Sequence, residues 1–256
     1  MELAVVLVIV ALLLGGLLVP LSTQRDGEAI RGTAKSLGEV NEALLGYAIS
    51  NGRLPCPASA SSSGLESFCN NSDPAVACVA TTTLQTLGRC SNPSDGFVPA
   101  ATLGLTPVDS SGLMLDAWNN RIRYAVSFIA DPATSGSSSR YIFTGVQGMK
   151  LRTLGSMNND PNLRVCPDAA CATPLTMQAV AVVWSTGKNA GSGGSGSDEI
   201  ENPNPNSGAH PDPTANKFVS HISTDSAAAG GEFDDIVQWM SPNILYNRMI
   251  SAGQLP

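Results

Sequence analysis

An uncharged apolar run at the start of the chain constrains the fold that the chain can adopt. The run from Leu3 to Val19 contains no charged or polar side chain, and the polar residues 22–24 follow it. As a helix, residues 3–21 would extend for about 28 Å, close to the bilayer hydrocarbon thickness of about 30 Å. A secretory signal peptide is the alternative, but it has a basic n-region and a shorter apolar core. We therefore predict a single-pass transmembrane helix over residues 1–24.

The residues after this run predict that the helix continues over 25–52 as an amphipathic element. Apolar residues recur at steps of three and four, the period of one helix face, at Ile30, Ala34, Leu37, Val40, Leu44, Leu45, Ala48 and Ile49. Asn51 and Gly52 form a helix stop signal. A coiled-coil stalk would show a similar period, but the glycines between 27 and 46 weaken an unsupported helix. The expected arrangement is one long helix whose second half packs on a folded head.

Glu2 stands at the edge of the apolar run, an unusual place for a carboxylate. In Glu2-Leu-Ala-Val-Val-Leu-Val-Ile-Val-Ala-Leu-Leu13 a glutamate opens an apolar helix, and Pro20 interrupts it about five turns later. This start resembles that of type IV pilins and type II secretion pseudopilins. A snorkelling carboxylate without further role is the alternative interpretation of Glu2.

The resemblance implies a membrane-anchored, pilin-like structural subunit of a type II secretion pseudopilus or a type IV pilus-like filament. Glu2 would act in assembly, pairing with a neighbouring subunit's N-terminal amine. The implied partners are other pilin-like subunits through the N-terminal helix, the bacterial inner membrane, and prepilin peptidase where a leader precedes the glutamate. The head would lie in the periplasm or at the cell surface. A single-pass exported domain that binds a ligand or surface without polymerising is the alternative function.

A second motif supports the same resemblance. Asp116-Ala-Trp-Asn-Asn-Arg-Ile-Arg-Tyr124 is similar to the sequence that enters the first pseudopilin strand, with Asn119 at the position of the usual glycine. We expect Trp118 to plug the core where the helix meets the sheet.

The cysteines predict an oxidising compartment, since their number is even and the segment that carries most of them has few apolar periodic runs. The region 53–115 is rich in turn residues, so cross-links would stabilise it. It contains Cys56, Cys69, Cys78 and Cys90. Six cysteines permit 15 pairings, and the sequence favours only Cys166 with Cys171. Zinc is the alternative, but the spacing of that pair is wider than in zinc fingers.

In the head, residues 116–256, the sequence predicts several strands without helices between them. Runs of β-branched and aromatic residues lie between turn signals at 121–129, 141–146, 178–184 and 218–222. Consecutive strands predict antiparallel pairing, so we expect an α+β fold with the long helix on the sheet. A final helix is predicted over Ile236 to Ala252, with a break at Pro242.

Charge and motif content exclude several classes of function. The net charge of −7 argues against nucleic-acid binding, which needs a basic surface. Gly191-x-Gly193-x-x-Gly196 formally matches a dinucleotide fingerprint, but no helix is predicted after it, so we regard the match as accidental. There is no Gly-x-Ser-x-Gly motif, and His210 lies in a proline-rich segment without an evident acid or base partner. We therefore do not expect an enzyme or an organic cofactor.

The acidic residues are concentrated in one segment. Residues 198–235 contain eight carboxylates and one lysine, which account for the whole net charge. In major pseudopilins a C-terminal loop with Gly-Asp-Gly, Gly-Gly and Asp-x-Asp-Ile-x-x-Trp motifs wraps a calcium ion. Similar residues stand here in the same order, namely Gly187-Lys-Asn189, Gly193-Gly194 and Asp234-Asp235-Ile-Val-Gln-Trp239. The ligands implied are Asn189, Asp198, Asp234 and Asp235, and hard Ca²⁺ prefers such oxygens. The alternative is that Asp234 and Asp235 only cap the final helix.

Overall fold

The computed structural model describes residues 2–152, 161–191, 196–203 and 216–255. Helix α1 runs from Glu2 to Asn51 without interruption. Within it, side chains are described at Val6 and from Gln24 onward, so the rest of the run 3–19 and the Glu2 carboxylate lie outside the described side chains. The helix stops where the sequence predicts, because Gly52 adopts a left-handed conformation with φ of +69°.

The described side chains give no membrane-spanning helix: none has the length and apolar character that crossing requires. The part of α1 over 24–51 carries charged residues along its length, namely Arg25, Asp26, Glu28, Arg31, Lys35, Glu39 and Glu42. This finding contradicts the prediction of a transmembrane half over 1–24. The single-pass inner-membrane location predicted with it is corrected on the same ground.

The rest of the fold is α+β, with one antiparallel sheet packed on α1. Its strands, in spatial order, are β3, β4, β7 and β9, where β3 is Gly96–Phe97, β4 is Arg123–Val126, β7 is Ala181–Ser185 and β9 is Ile236–Met240. The buried stripe of α1 that faces this sheet includes Leu37, Val40 and Leu44, which have no exposed surface. Burial of this stripe explains the helical period seen in the sequence.

A second sheet corrects the prediction that all strands pair antiparallel. It consists of β5 (Leu163–Cys166), β6 (Thr176–Ala179) and β8 (Lys217–Val219), with β5 in the centre. Strands β5 and β6 are antiparallel, whereas β5 and β8 are parallel. The run predicted as one strand over 178–184 is two strands in different sheets. Val180 alone separates them, and its burial hides the break in the sequence pattern.

Two further predictions of secondary structure are wrong. Residues 141–146 form turns. The backbone N–H of Gly145 donates a hydrogen bond to the carbonyl oxygen of Tyr141, so the chain folds back on itself. Residues 236–240 form β9, since they pair with β7 over its whole length. The final helix, which we name by its range Pro242–Ser251, begins only after Ser241, whose hydroxyl accepts from the Ile244 amide as its N-cap.

The region 53–115 has little regular structure, as its composition predicts. It contains the short strands β1 (Phe68–Cys69) and β2 (Ala80–Thr81) and one helical turn, α2 (Ala100–Leu103). Disulfides join Cys56 to Cys90 and Cys69 to Cys78, and a third joins Cys166 to Cys171, the pair that the sequence favours. All six cysteines are in disulfides, in keeping with an exported protein in an oxidising environment.

Candidate metal centre

The topology of the main sheet brings the loop after β7 next to the C-terminal end of the acidic segment. Strands β7 and β9 are antiparallel, and Ser185 at the end of β7 faces Ile236 at the start of β9. The residues that follow β7 therefore lie beside the residues that precede β9. In this way Lys188 and Asn189 meet Asp234, although some 45 residues separate them in the chain.

Asp234 is held by the loop after β7. Its Oδ2 accepts from the backbone N–H groups of Lys188, at 2.8 Å, and Asn189, at 3.0 Å. The loop backbone can come this close to the Asp234 carboxylate because residue 187 is glycine. A Cβ at Gly187 would collide with the Asp234 carboxylate, and the residue adopts a positive φ of +62° that glycine accepts without strain.

Glu199 and Asp235 complete a cluster of three carboxylates with Asp234. Glu199 lies on α3, a single turn over Ser197–Ile200. Each of the three residues offers an oxygen, and the three oxygens lie within 4.8 Å of one another. Asn202 donates from Nδ2 to Asp235 Oδ2 at 2.8 Å. Among the described residues, the buried Oδ1 of Asp235 accepts no hydrogen bond.

The electrostatics of this cluster favour either a proton or a cation. Burial, together with the nearby Asp234, raises the pKa of Glu199 to about 7, and the Asn189 side chain offsets part of the rise. Burial also raises the pKa of Asp235 well above its usual range, with Asn202 opposing the shift. Burying several ionised carboxylates together is costly unless positive charge accompanies them. The chemistry of the donors, all hard oxygens, fits Ca²⁺.

Asp198, one of the predicted ligands, faces away from the cluster. Its Oδ1 accepts from the Ala169 N–H at 2.8 Å, and its Oδ2 lies 3.3 Å from His221 Nε2. Glu199, which the sequence analysis did not select, takes its place. Neighbouring residues on a helix point about 100° apart, so only one of two adjacent acids can face the site. The predicted Gly193–Gly194 part of the motif lies outside the described residues.

The alternative interpretation, that Asp234 and Asp235 cap a helix, is wrong. Both residues precede a strand, β9, and the next helix begins only at Pro242. Burial also distinguishes them from an exposed cap, since Asp235 is only 7% exposed. The two carboxylates therefore need a structural explanation other than a helix terminus.

The motif over 116–124 holds the loop after β7 in place through hydrogen bonds. Ser185 donates from Oγ to Asp116 Oδ2, and Asn120 donates from Nδ2 to the Gly187 carbonyl at 2.6 Å. Asn119 adopts a φ of +66°, which explains why a glycine fits the same place in the motif it resembles. Burial raises the pKa of Asp116, against its hydrogen bonds from Ser185 and the backbone.

Trp118 lies in a different environment from the one predicted. It is half-buried and lines a groove beside α1, where we had expected a fully buried core residue. The groove also borders Asp234 and Asp235, so it is continuous with the candidate metal centre.

Comparisons of the chain with protein-family models, with curated proteins and with solved structures find no match.

Proposed function

We propose that the protein is a pilin-like structural subunit of a type II secretion pseudopilus or a type IV pilus-like filament. The observation that carries this proposal is the length of α1, which has 50 residues and therefore extends for about 75 Å. Its first described contact with the head is the ion pair between Asp26 and Lys188, at 2.8 Å. The 24 residues of helix before it extend for about 36 Å, and we assign them to packing against other subunits.

The sequence of this N-terminal part suits such packing. An uncharged apolar helix surface is unfavourable in water and is normally covered by another apolar surface. In a filament, the equivalent helices of neighbouring subunits provide that cover. The three disulfides support the same function, because a filament outside the cytoplasm meets oxidising conditions.

We expect Glu2→Ala to prevent incorporation into filaments while leaving the head folded. A carboxylate among packed apolar helices needs a partner of opposite charge, and the neighbouring subunit's N-terminal amine would supply it. Filaments can be sheared, sedimented and analysed for the amount of each variant. Glu28→Ala, which removes an exposed carboxylate from the same helix, is the matched control. Equal recovery of Glu2→Ala and the unmodified chain would contradict the proposed role of Glu2.

We further propose that the acidic cluster binds calcium as a structural ion of this subunit. Millimolar Ca²⁺ is expected to raise the melting temperature, and EDTA to reverse the effect, since binding at a hundredfold excess over Kd stabilises by about 2.7 kcal/mol. Glu199→Gln should abolish the shift, as should Asp234→Ala combined with Asp235→Ala. Asp198→Asn should retain it, because Asp198 faces away. Identical melting with and without calcium would contradict the metal site.

The calcium effect should also depend on pH. Because the pKa of Glu199 is raised from 4.5 to about 7 in the folded state, the metal-free folded chain binds more protons than the unfolded chain between these values. Its stability therefore falls as pH rises through that window. Calcium competes with the proton at Glu199, so the calcium-induced rise in melting temperature should be larger at pH 8 than at pH 6.

An exported ligand-binding domain is the second candidate function, favoured by the groove of about 480 Å³ beside α1. Its volume lies in the range of small-molecule sites. The two functions differ in a measurable way, because a ligand-binding domain has no need to self-associate. A chain that remains monomeric under conditions that assemble filaments would favour the second function.

A further inference from the structure

The disulfide between Cys166 and Cys171 closes a short loop, residues 166–171, which we call the cysteine loop. The loop starts at the end of β5, where the backbone N–H of Ser220 donates to the Cys166 carbonyl at 2.9 Å. Cys166 is fully buried, and Cys171 adopts a φ of +50°, which is uncommon for residues other than glycine. The disulfide therefore joins a fixed strand end to a residue whose backbone conformation needs support from its surroundings.

The middle of the cysteine loop contacts α3, the single turn that carries Glu199. The Ala169 N–H donates to Asp198 Oδ1 at 2.8 Å, and the Ala169 carbonyl accepts from Lys217 Nζ at 2.8 Å. Lys217 also pairs, at 2.9 Å, with Glu201, which directly follows α3. The backbone of Ala169 is thus linked to both ends of α3, directly at one end and through Lys217 at the other.

The contact between the cysteine loop and Asp198 is enclosed by other parts of the head. The side chain of Asp198 is only 11% exposed, and its Oδ2 lies 3.3 Å from His221 Nε2. The same oxygen packs against the backbone of Gly230, because a Cβ there would collide with it. A carboxylate enclosed in this way has little room to rotate, so the position of Asp198 follows that of the loop.

The orientation of α3 depends on such contacts, because one helical turn is unfavourable without tertiary support. Asn202 supports the C-terminal side of the turn. It accepts from the Val219 N–H at 2.8 Å and donates to the Val219 carbonyl at 3.0 Å. On the N-terminal side, Asp198 and its contact with the cysteine loop provide support. Glu199 lies between these two supports, so the direction of its side chain depends on both.

We propose that the cysteine loop is a positioning element of the candidate metal centre and that it acts through Asp198, an inference that rests on the proposed calcium site. Asp198 and Glu199 are adjacent on α3 and point about 100° apart. Holding Asp198 against the loop therefore keeps the Glu199 carboxylate beside Asp234 and Asp235. A site that is ordered before the ion arrives binds more tightly, because binding then carries no cost of ordering the ligands. The disulfide thus raises the affinity for calcium without supplying a ligand.

Calorimetric titration of the full-length chain with calcium chloride tests the role of the disulfide. Cys166→Ala combined with Cys171→Ala should raise the Kd for Ca²⁺ about tenfold, as the loss of a group that orients a metal ligand typically does. Cys69→Ala combined with Cys78→Ala is the matched control. It opens another short loop, whose ends are 9 residues apart and which belongs to the region 53–115. Its Kd should stay within about twofold of that of the unmodified chain, since distant sites act independently.

Two substitutions of Asp198 test the connection without removing a disulfide. Asp198→Ala removes the acceptor of the Ala169 N–H and should also raise the Kd about tenfold. Asp198→Asn removes the same negative charge but keeps an acceptor oxygen, so its Kd should stay within about twofold of the unmodified value. Asp198→Ala should add little to the loss already caused by the two cysteine substitutions, because both changes break one connection.

The outcomes separate this inference from the calcium site on which it rests. An unchanged Kd in either the Cys166 and Cys171 double variant or Asp198→Ala would overturn the positioning role and leave the calcium site intact. Equal weakening by Asp198→Ala and Asp198→Asn would also overturn it, since loss of charge would then be responsible. Absence of calcium binding by the unmodified chain would overturn both. If the double cysteine variant does not fold, the comparison of alanine with asparagine at position 198 decides the matter.

Discussion

Replacing Cys56 and Cys90 together by alanine is expected to lower the free energy of unfolding by about 4 kcal/mol or more. The disulfide joins residues 34 apart in the sequence, and closing a loop of this length in the unfolded chain contributes about 4 kcal/mol in the chain-entropy treatment. Both cysteines are also buried in the main core, at 0% and 6% exposure, so the substitution leaves space that neighbours fill only in part. Equilibrium urea unfolding measures the loss.

The disulfide between Cys166 and Cys171 provides the matched control. It joins residues only 5 apart, so the same treatment gives a contribution of about 2 kcal/mol. Cys166→Ala with Cys171→Ala should therefore lower the free energy of unfolding by roughly half as much. Equal losses in the two double variants would show that loop length and burial do not control disulfide stabilisation in this chain.

Arg53→Met is the second substitution with a large expected effect, about 3–5 kcal/mol of destabilisation. Arg53 donates to both oxygens of Glu66, at 2.6 and 2.9 Å, and both side chains are more than nine-tenths buried. Glu66 also accepts from the Tyr47 hydroxyl and the Cys56 N–H. Removing Arg53 would leave a buried carboxylate without its counter-ion, and that uncompensated charge causes the loss.

The Arg53 pKa supports this expectation, and a second arginine tests it. Burial alone would lower the pKa of Arg53, but its hydrogen bonds to Glu66 and the charge of Glu66 raise it instead. Arg121 forms a similar pair with Asp109 at 2.8 Å, with 39% of its side chain exposed. Arg121→Met should cost less than about 1 kcal/mol, as exposed pairs do. Thermal unfolding that gives similar losses for Arg53→Met and Arg121→Met would contradict the importance of burial.

Local sequence signals were sufficient to predict the structure where it is determined by local interactions. The end of α1 is an example, since Asn51–Gly52 predicts a stop and Gly52 provides the left-handed residue there. The pairing of Cys166 with Cys171 is another, because the two are near neighbours in the chain. In both places the residues that determine the geometry lie within one turn or loop of each other.

The sequence was insufficient to predict the structure where it is determined by residues that are distant in the chain. Residues 236–240 contain apolar side chains at helix-like spacing, but pairing with β7 makes them a strand. That strand places Asp234 and Asp235 at the end of β7 and excludes the helix cap. Glu199 could not be distinguished from Asp198, because the choice depends on how α3 is oriented by contacts such as the one between Asp198 and Ala169.

The way in which α1 joins the head has a mechanical consequence. A force applied to the N-terminal part of α1 acts along the helix axis, and the helix lies against β7, β9 and the helix Pro242–Ser251. Such a force loads these contacts in shear, so many must yield together before the helix slides. Beyond Asn51 the chain passes to Arg53 and Cys56, and the disulfide transfers the remaining tension to Cys90. Because forced unfolding is governed by the unfolding rate, this connection lengthens the time for which the head withstands a pull on α1.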